Sequence, residues 1–183
     1  MKILHIISQR PDSTGSGIYL KEVINQSNGR GFQNGLLAAT TTTEEKIIIP
    51  SIPEKYVFPF SFMEELGHHI IGMSDVMPYE SKTFNSLTDN EFSAYISCWK
   101  NKVSHAVHRF QPDIIHSHHL WLLSSLIKNL FPHIPVVTTC HGTDLRQYQN
   151  CPNFQDFTLS GCRKIDRIMA LSSEQKGEIA SLY

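Results

Sequence analysis

The chain has 183 residues, of which 40% are hydrophobic and 18% are charged, and its formal net charge is −1. This length suits one domain with a real core, and the composition excludes disorder and a general electrostatic footprint for nucleic acid. No apolar run approaches the roughly 18 residues that span a bilayer, so we expect no transmembrane segment.

The cysteines and the N-terminus predict a cytoplasmic protein. Four cysteines, at positions 98, 140, 151 and 162, are too few and too scattered for a disulfide framework, so we expect reduced thiols. The N-terminal sequence MKILHIIS contains a short apolar run, but no small-residue cleavage site follows it. It therefore predicts a first strand rather than a signal peptide.

The first elements predict the opening unit of a doubly wound α/β fold. Ile3–Ser8 is apolar and β-branched, as in a buried parallel strand, and a polar loop ending in Gly15–Gly17 follows. A helix is predicted from about Ile18 to the Asn-Gly pair at 28–29. Glycines in such a loop let a ligand approach the backbone, although a simple tight turn is the alternative. Leu20 stands where a dinucleotide fingerprint needs glycine, so that motif is not supported.

The next segment is less regular. Gly35–Thr41 predicts the second strand, whereas prolines at 50, 53 and 59 exclude a central strand in that region and favour edge segments or loops. His69–Gly72 is a candidate short strand. Asp75–Leu87 is expected to be a surface connection.

The longest predicted helix begins at Thr88. Thr88 and Glu91 form a capping box, apolar residues recur every three or four positions from Phe92 to Phe110, and Pro112 marks the end. This period places the aromatic side chains on one face of the helix. We therefore expect them in the core rather than in a stacking platform.

Two strands with polar ends are predicted between Pro112 and Asp144, with a helix between them. Ile114 and Ile115 run into a histidine cluster, and Val136 and Val137 run into Cys140–Asp144. Ligands of open parallel sheets bind just beyond the carboxyl ends of the strands, so we expect function here. The histidines of the cluster are His116, His118 and His119.

The C-terminal part is predicted from weaker signals. Leu145–Cys162 has little periodicity and loop residues near 150–153, Arg167–Leu171 predicts a last strand, and Ser172 with Gln175 opens a capped helix. That helix has about three turns when the chain stops at Tyr183. We therefore expect a fragment that is cut within its last helix.

Metal binding and nucleophilic catalysis are two hypotheses for the polar clusters. Histidines 116, 118, 119 and 141 with Cys140 and Asp144 include zinc ligands, but we expect strand geometry to separate the histidines. Neither H-E-x-x-H nor a C-x-x-C pair is present, so no metal is predicted. Cys140 lies beside His141 without a protease signature, and a buried small hydrophobe is the better interpretation.

A sugar or sugar-phosphate cleft is the third hypothesis, and it uses every cluster. Histidine, threonine, aspartate and glycine at adjacent strand ends supply the donors and acceptors that a polyol needs. The glycine-bearing loop at 14–17 would lie across the same crevice, because doubly wound topology brings these strand ends together.

Four motifs in a fixed order also point to a family. They are the Gly15–Gly17 loop after the first strand, Pro-Asp-Ile-Ile-His-Ser-His at 112–118, Thr-Cys-His-Gly-Thr-Asp at 139–144, and Ile165–Ser172. In order and spacing the chain resembles the N-terminal domain of retaining GT-B glycosyltransferases, in particular glycosyltransferase family 4. The resemblance covers nearly the whole chain except about residues 44–87.

This resemblance implies an α/β, Rossmann-like, mostly parallel sheet with helices on both faces, as one half of a GT-B fold. Residues 1–183 would be the acceptor-side domain, and a C-terminal domain absent here would bind the nucleotide-sugar donor. Transfer would proceed with retention and without a metal ion or other cofactor. By position, the implied site comprises Gly15, Ser16 and Gly17 near donor phosphates and acceptor, His118 on the acceptor side, His141 against the transferred sugar, and the loop residues Gly142, Thr143 and Asp144.

The donor half of the family pattern is missing from the chain. Neither the E-x7-E-type motif nor the basic phosphate-binding residues are found, so the fragment alone is expected to be inactive. Expected partners are a nucleotide sugar and an unknown sugar, lipid or glycan acceptor, with peripheral contact at the inner face of a membrane left open. A non-catalytic sugar- or phosphate-binding module, or half of a GT-B-type epimerase or phosphorylase, are the alternatives.

Overall fold

A single parallel sheet organises the computed structural model, which describes residues 1–42 and 46–183. Its six strands within this part lie in the order β3-β2-β1-β4-β5-β6, and every neighbouring pair is parallel. The predicted Rossmann-like α/β fold is confirmed. The strands are β1 (Lys2–Ile7), β2 (Gln33–Thr40), β3 (Val57–Ser61), β4 (Ile114–His118), β5 (Val136–Thr139) and β6 (Arg167–Met169).

Helices follow the strands and cover both sides of the sheet. None of the described helices is long and apolar enough to cross a bilayer. Three single 3₁₀ turns lie at Glu54–Tyr56, Phe84–Ser86 and Pro152–Phe154. The α-helices are α1 (Gly15–Gly29), α2 (Phe62–Leu66), α3 (Asp89–Phe110), α4 (Leu122–Leu130), α5 (Thr143–Asn150), α6 (Gln155–Cys162) and α7 (Ser173–Leu182).

One side of the sheet, here called the aromatic face, packs against α3 and α4. Leu4 and Ile6 of β1 join the large apolar cluster that includes the helix residues Trp99 and Ile127. Trp99 is fully buried and meets Phe60 edge-on, with ring centroids 4.6 Å apart. The aromatic residues of α3 therefore form core, as its periodicity predicted.

The opposite side, here called the histidine face, packs against α1 and carries polar residues. Ile7 packs with Leu20 and Ile24 of α1 in a smaller apolar cluster. Because alternate strand residues share a side, His5 lies on the same side as Ile7. His5 is paired in register with His116 of β4, so the two rings are neighbours beneath α1.

Several boundaries follow the sequence signals. α3 begins at the predicted capping box, with Thr88 accepting from the Glu91 backbone, and it ends at Phe110 before Gln111 adopts a left-handed conformation. β3 is an edge strand, as the prolines of that region predicted. His69–Gly72 contributes only an isolated bridge, between Ile71 and Lys82. Residues 44 and 45 of the region expected to be irregular lie outside the described residues.

Two local predictions are wrong. α1 begins at Gly15 rather than near Ile18, because the Thr14 side chain accepts a hydrogen bond from the Gly17 backbone and caps the helix early. β4 extends through His118, so the histidines lie partly within the strand rather than after it. The weakly periodic segment 145–162 contains most of α5 and all of α6, and the loop residues expected near 150–153 lie between these two helices.

The helix α6 forms because of its tertiary contacts. Gly161 comes so close to Ser125 of α4 that a side chain at position 161 would overlap the Ser125 carbonyl. The Ser125 hydroxyl donates to the Phe157 carbonyl at 2.6 Å and accepts from the Gly161 backbone at 3.0 Å. These contacts stabilise a helix whose sequence pattern is weak.

Candidate active site

A cleft of about 510 Å³ opens at the carboxyl ends of β1, β4 and β5. This is the position at which open parallel sheets bind ligands. The polar residues of its lining come from the loops after these strands and from the first turn of α1. The mostly apolar residues come from Tyr19, the segment 73–78 and Leu171. The polar residues, here called the polar wall, are Gln9, Ser13, Thr14, Gly15, Ser16, His119, His141 and Thr143.

The start of α1 is fixed by Gln9, which follows β1. Its side-chain amide donates to Ser16 Oγ at 2.6 Å and to Thr14 Oγ1 at 3.1 Å. The buried Oε1 atom of Gln9 has no hydrogen-bond partner. The first turn of a helix also presents unpaired backbone N–H groups, so this end of the cleft favours anionic or hydroxyl-rich groups.

Gly17 serves the protein's own loop rather than the cleft. A Cβ atom at this position would lie 2.5 Å from the Pro11 carbonyl oxygen, whereas one at Gly15 would meet nothing within 4 Å. Gly17 is buried and Gly15 is exposed on the cleft side. Only Gly15 therefore leaves open space that a ligand could approach.

His141 is the histidine that connects the cleft to the buried cluster. Its Nε2 atom lies 3.2 Å from Nδ1 of His118, and the two rings are nearly parallel, at 17°. Tyr19 meets the His141 ring edge-on, with centroids 5.4 Å apart, and the His119 ring lies 4.8 Å away. These contacts fix the orientation of a side chain that lines the cleft.

Asp144 joins the loops that follow β4 and β5. This fully buried carboxylate accepts from the Leu120 backbone at 2.6 Å and from the His141 backbone at 3.1 Å. The Cys140 thiol also donates to it, at 3.3 Å. Gly142, between these residues, has a φ of +87°, which favours glycine. The carboxylate thereby fixes the backbone of the loop that carries His141.

Burial keeps the histidine cluster neutral. Desolvation lowers the pKa of His5 and of His141 to about 4, and that of His116 and of His119 to about 3. The pKa of His118 falls well below its ordinary value, again because of burial first and of neighbouring histidines second. At neutral pH the rings act as hydrogen-bonding groups without charge.

The chemistry of Cys140 does not support a nucleophile. Burial and the nearby Asp144 carboxylate raise the pKa of its thiol, and the thiol donates its hydrogen to that carboxylate. Because the thiolate is the reactive form, this environment disfavours attack by Cys140. The side chain is fully buried in an apolar cluster with Leu120 and Leu145, as expected of a small core residue.

The expected separation of the histidines by strand geometry is wrong for His116 and His118. Residues two apart on a strand share a side, so these rings lie together, with centroids 4.5 Å apart. With His5 they offer three ring nitrogens within 4.8 Å of one another. Ligand nitrogens of a tetrahedral zinc lie only about 3.3 Å apart for bonds of about 2.05 Å. The spread of up to 4.8 Å is thus looser than a closed zinc site.

The structure divides the predicted site residues into two groups. Gly15, Ser16, His141 and Thr143 line the cleft. A second group lies behind the wall and supports it, namely Gly17, His118, Gly142 and Asp144. His118, expected on the acceptor side, is 0% exposed and lies behind His141 and Tyr19, which line the cleft.

Several residues of the cleft were not predicted as site residues, among them Gln9, Tyr19 and His119. Gln9 lies two residues after β1, where polar residues beyond a parallel strand indicate a site. His119 was assigned to the histidine cluster but not to the site, and its φ of +74° marks a sharp turn directly after β4. Tyr19 carries no local signal, because its role depends on how α1 lies over β4.

The parallel sheet and the cleft at its carboxyl edge are those of one Rossmann-like half of a GT-B fold. The family model described as Glycosyltransferase Family 4 matches residues 14–183, and the chain belongs to this family. Comparison with curated protein sequences gives no match.

Solved structures with the same fold include transferases and epimerases. Sucrose-phosphate synthase from Thermosynechococcus elongatus is 11% identical with a TM-score of 0.66, over 99% of this chain and 45% of that one. UDP-GlcNAc 2-epimerase from Neisseria meningitidis, bound to UDP-GlcNAc, is 13% identical with a TM-score of 0.56, over 99% and 43%. The Methanocaldococcus jannaschii epimerase is 15% identical with a TM-score of 0.55, over 99% and 42%. The chain therefore spans less than half the length of these proteins.

Proposed function

We propose that this domain is the acceptor-side half of a retaining glycosyltransferase that moves a sugar from a nucleotide-sugar donor. Membership of glycosyltransferase family 4 supports sugar transfer as the reaction of the whole protein. The observation that carries the proposal is the cleft itself, whose polar wall combines a fixed neutral histidine with the first turn of α1.

The residues of the cleft suit a sugar in two ways. The α1 N-terminus, Ser16 and Gln9 offer hydrogen-bonding groups for hydroxyl or phosphate oxygens, and His141 and Thr143 offer further ones. Tyr19 and the segment 73–78 supply apolar surface for the C–H faces of a sugar ring or for an apolar part of the acceptor. We assign Asp144 to ordering the His141 loop, on the basis of its backbone hydrogen bonds.

We assign no metal ion or other cofactor to the transfer. Nothing in the cleft wall resembles a carboxylate cluster for a divalent cation, since the lining residues within the described part of the chain include no aspartate or glutamate. The donor half, which we place in a further domain, would hold the nucleotide sugar. The acceptor is a sugar, a lipid or a glycan. The four buried, free cysteines favour a reducing compartment, so we propose a cytoplasmic enzyme.

A nucleotide-sugar epimerase is the second candidate function. Two of the solved structures described above carry that activity in their names and share the fold over 99% of this chain. An epimerase converts a nucleotide sugar without an acceptor, whereas a transferase consumes one. The two candidates therefore differ in a measurable product.

The test compares the full-length polypeptide with the 183-residue chain on a panel of nucleotide sugars. We expect the full-length protein to release nucleotide and glycosylate an acceptor with retained anomeric configuration, and the isolated chain to show no turnover. His141→Ala should lower turnover by about 100-fold, the scale of a lost preorganised contact. His133→Ala, on an exposed histidine, is the matched control and should leave turnover unchanged.

Two outcomes would overturn this proposal. Turnover by the 183-residue chain alone would show that no second half is needed. Conversion of a nucleotide sugar into its epimer, with no acceptor consumed, would establish the epimerase instead.

A further inference from the structure

The contact between His118 and His141 determines which nitrogen of each ring carries its proton. His118 Nδ1 and His141 Nε2 are 3.2 Å apart, so one of the two atoms must donate to the other. Both rings are neutral, so each has one N–H donor and one bare acceptor nitrogen. Either His118 donates and His141 keeps its proton on Nδ1, or the roles are reversed.

The second nitrogen of His118 decides between these arrangements. Its Nε2 atom is buried and has no hydrogen-bond partner. If His118 accepted from His141, its own proton would lie on Nε2 as a buried N–H without an acceptor. Orphaned buried N–H groups are rarer than under-satisfied acceptors. The proton of His118 therefore belongs on Nδ1, where it is used.

The residues beneath His118 do not offer its Nε2 atom a hydrogen bond. His5 Nε2 lies 3.1 Å from the Asn34 carbonyl oxygen and donates to it, so the His5 Nδ1 atom is bare. That Nδ1 atom is also buried and without a partner. His116 uses its Nε2 atom on Thr139 Oγ1, at 2.8 Å. His118 thus has one productive direction for its proton, toward His141.

The ring of His141 is held from several sides while it receives this bond. Tyr19 packs edge-on against both His141 and His118, with centroids 5.4 and 6.1 Å away. Asp144 holds the His141 backbone N–H. Rotation of the His141 ring to present the other nitrogen would break the bond to His118 and leave a buried donor unpaired, which is costly.

We propose that His118 is a positioning residue that fixes His141 in the Nδ1–H form, so that His141 presents a hydrogen-bond donor to the ligand in the cleft. This inference rests on the proposed transferase function for its consequence, but its structural claim stands alone. A neutral donor at this position recognises an oxygen with a free lone pair, such as a sugar hydroxyl or a phosphate oxygen. It does not remove a proton from the acceptor hydroxyl, because its remaining nitrogen already accepts from His118.

The direct test is nitrogen NMR of the 183-residue chain at neutral pH with labelled histidine. We expect His141 to show a protonated, pyrrole-type Nδ1 and an unprotonated, pyridine-type Nε2, with the same pattern in His118. A His141 ring protonated on Nε2 would overturn the inference. The wild-type spectrum needs no substitution, so misfolding of a variant cannot remove this test.

Two substitutions of His118 separate positioning from packing. In His118→Asn the side-chain amide can replace the Nδ1–H donor, whereas His118→Leu fills space without a donor. We expect His118→Asn to keep the Nδ1–H form of His141 and His118→Leu to give a mixture of the two forms. An unchanged His141 spectrum in folded His118→Leu would contradict the role of His118.

The same variants in the full-length protein test the functional consequence. His118→Leu should lower kcat roughly 10-fold, the value of one buried hydrogen bond, and His118→Asn should recover most of it. An equal loss of kcat in both variants would show that His118 acts through packing alone. A correct tautomer together with no sugar transfer by the wild-type protein would overturn the proposed function and leave the inference about His118 intact.

Discussion

The two faces of the sheet differ in what they bury. The aromatic face encloses Trp99, Phe60 and Phe62 against apolar strand residues, and its rings need few polar partners. The histidine face encloses His5, His116 and Asn34, whose bonded polar atoms pair with one another, with adjacent hydroxyl groups or with a backbone carbonyl. Both faces are equally dry, since each of these side chains is 6% exposed or less.

One face of the sheet therefore contributes mainly to stability, and the other contributes mainly to the site. Apolar burial stabilises the fold by roughly 25 cal/mol per Å², whereas burial of an imidazole costs free energy unless its nitrogens are bonded. The cleft lies at the end of the histidine face, and a row of neighbouring polar side chains runs from Asn34 to His141. We infer that the polar layer is retained for the site and that the aromatic face supplies the stability that offsets it.

Acidification should give the largest change in the free energy of unfolding, because it acts on several buried rings of the histidine face at once. The pKa of His5 is about 4, and that of His116 and His119 about 3, against an ordinary 6.5 in the unfolded chain. The unfolded state therefore binds more protons between pH 6.5 and 4, and the free energy of unfolding falls as the pH falls. Each ring should contribute up to roughly 2 kcal/mol between about pH 7.5 and 5.

Urea unfolding at about pH 7.5 and pH 5 measures this change in the free energy of unfolding. Because the rings interact with one another, their contributions do not simply add, and we expect a clear fall in the urea midpoint from pH 7.5 to pH 5. His116→Gln should make the pH dependence shallower, and His133→Gln, at an exposed position, should leave it unchanged. Equal stability at both pH values would show that the cluster is not buried neutral.

Truncation of the aromatic face should have the next largest effect. Trp99→Ala removes a fully buried ring that contacts Phe60, Phe62 and Tyr95, and should lower the free energy of unfolding by about 3–5 kcal/mol. Tyr19→Ala, on the half-buried side of α1 above the cleft, should cost less than about 1.5 kcal/mol. Denaturant midpoints at neutral pH measure both. Similar losses of stability in the two variants would contradict the division of roles between the two faces.

A pair of glycines at the start of α1 gives the smallest and most local test. Gly17→Ala places a methyl group 2.5 Å from the Pro11 carbonyl oxygen, so we expect a loss of about 1–3 kcal/mol. Gly15→Ala meets open space and should be neutral or stabilising by up to about 1 kcal/mol. Thermal unfolding of the two variants measures both changes in stability. A destabilised Gly15→Ala with an unaffected Gly17→Ala would reverse the assignment of the two glycines.

The sequence predicts those elements whose signals are local. The α3 helix carries its own capping box and a long apolar period, and both are found in place. The segment 145–162 gives only a weak signal, because α6 depends on α4 through the contact of Gly161 with Ser125. No local pattern encodes a close approach between residues that far apart.

A general rule predicts the position of the cleft from the sequence, but it does not predict which residues line the cleft and which are buried behind it. Polar residues after predicted strands correctly indicated the edge of the sheet where the cleft lies. Which of them face solvent depends on side-chain direction, and His118 and Asp144 point inward although both belong to the quoted motifs. Gln9 and Tyr19 enter the cleft wall only because β1 and α1 lie next to β4, which the strand order determines.

The central position of β1 determines when the domain can fold. Its residues pair with β2 about 30 positions away, but the other edge pairs Ile3 with Ile114, far along the chain. At a synthesis rate of about 5–20 residues per second, roughly 6–20 seconds pass between the appearance of these two strands. Throughout that interval an apolar strand edge has no neighbour, and such edges promote association between nascent chains. The order of the strands thus keeps the middle of the sheet incomplete until β4 has been synthesised.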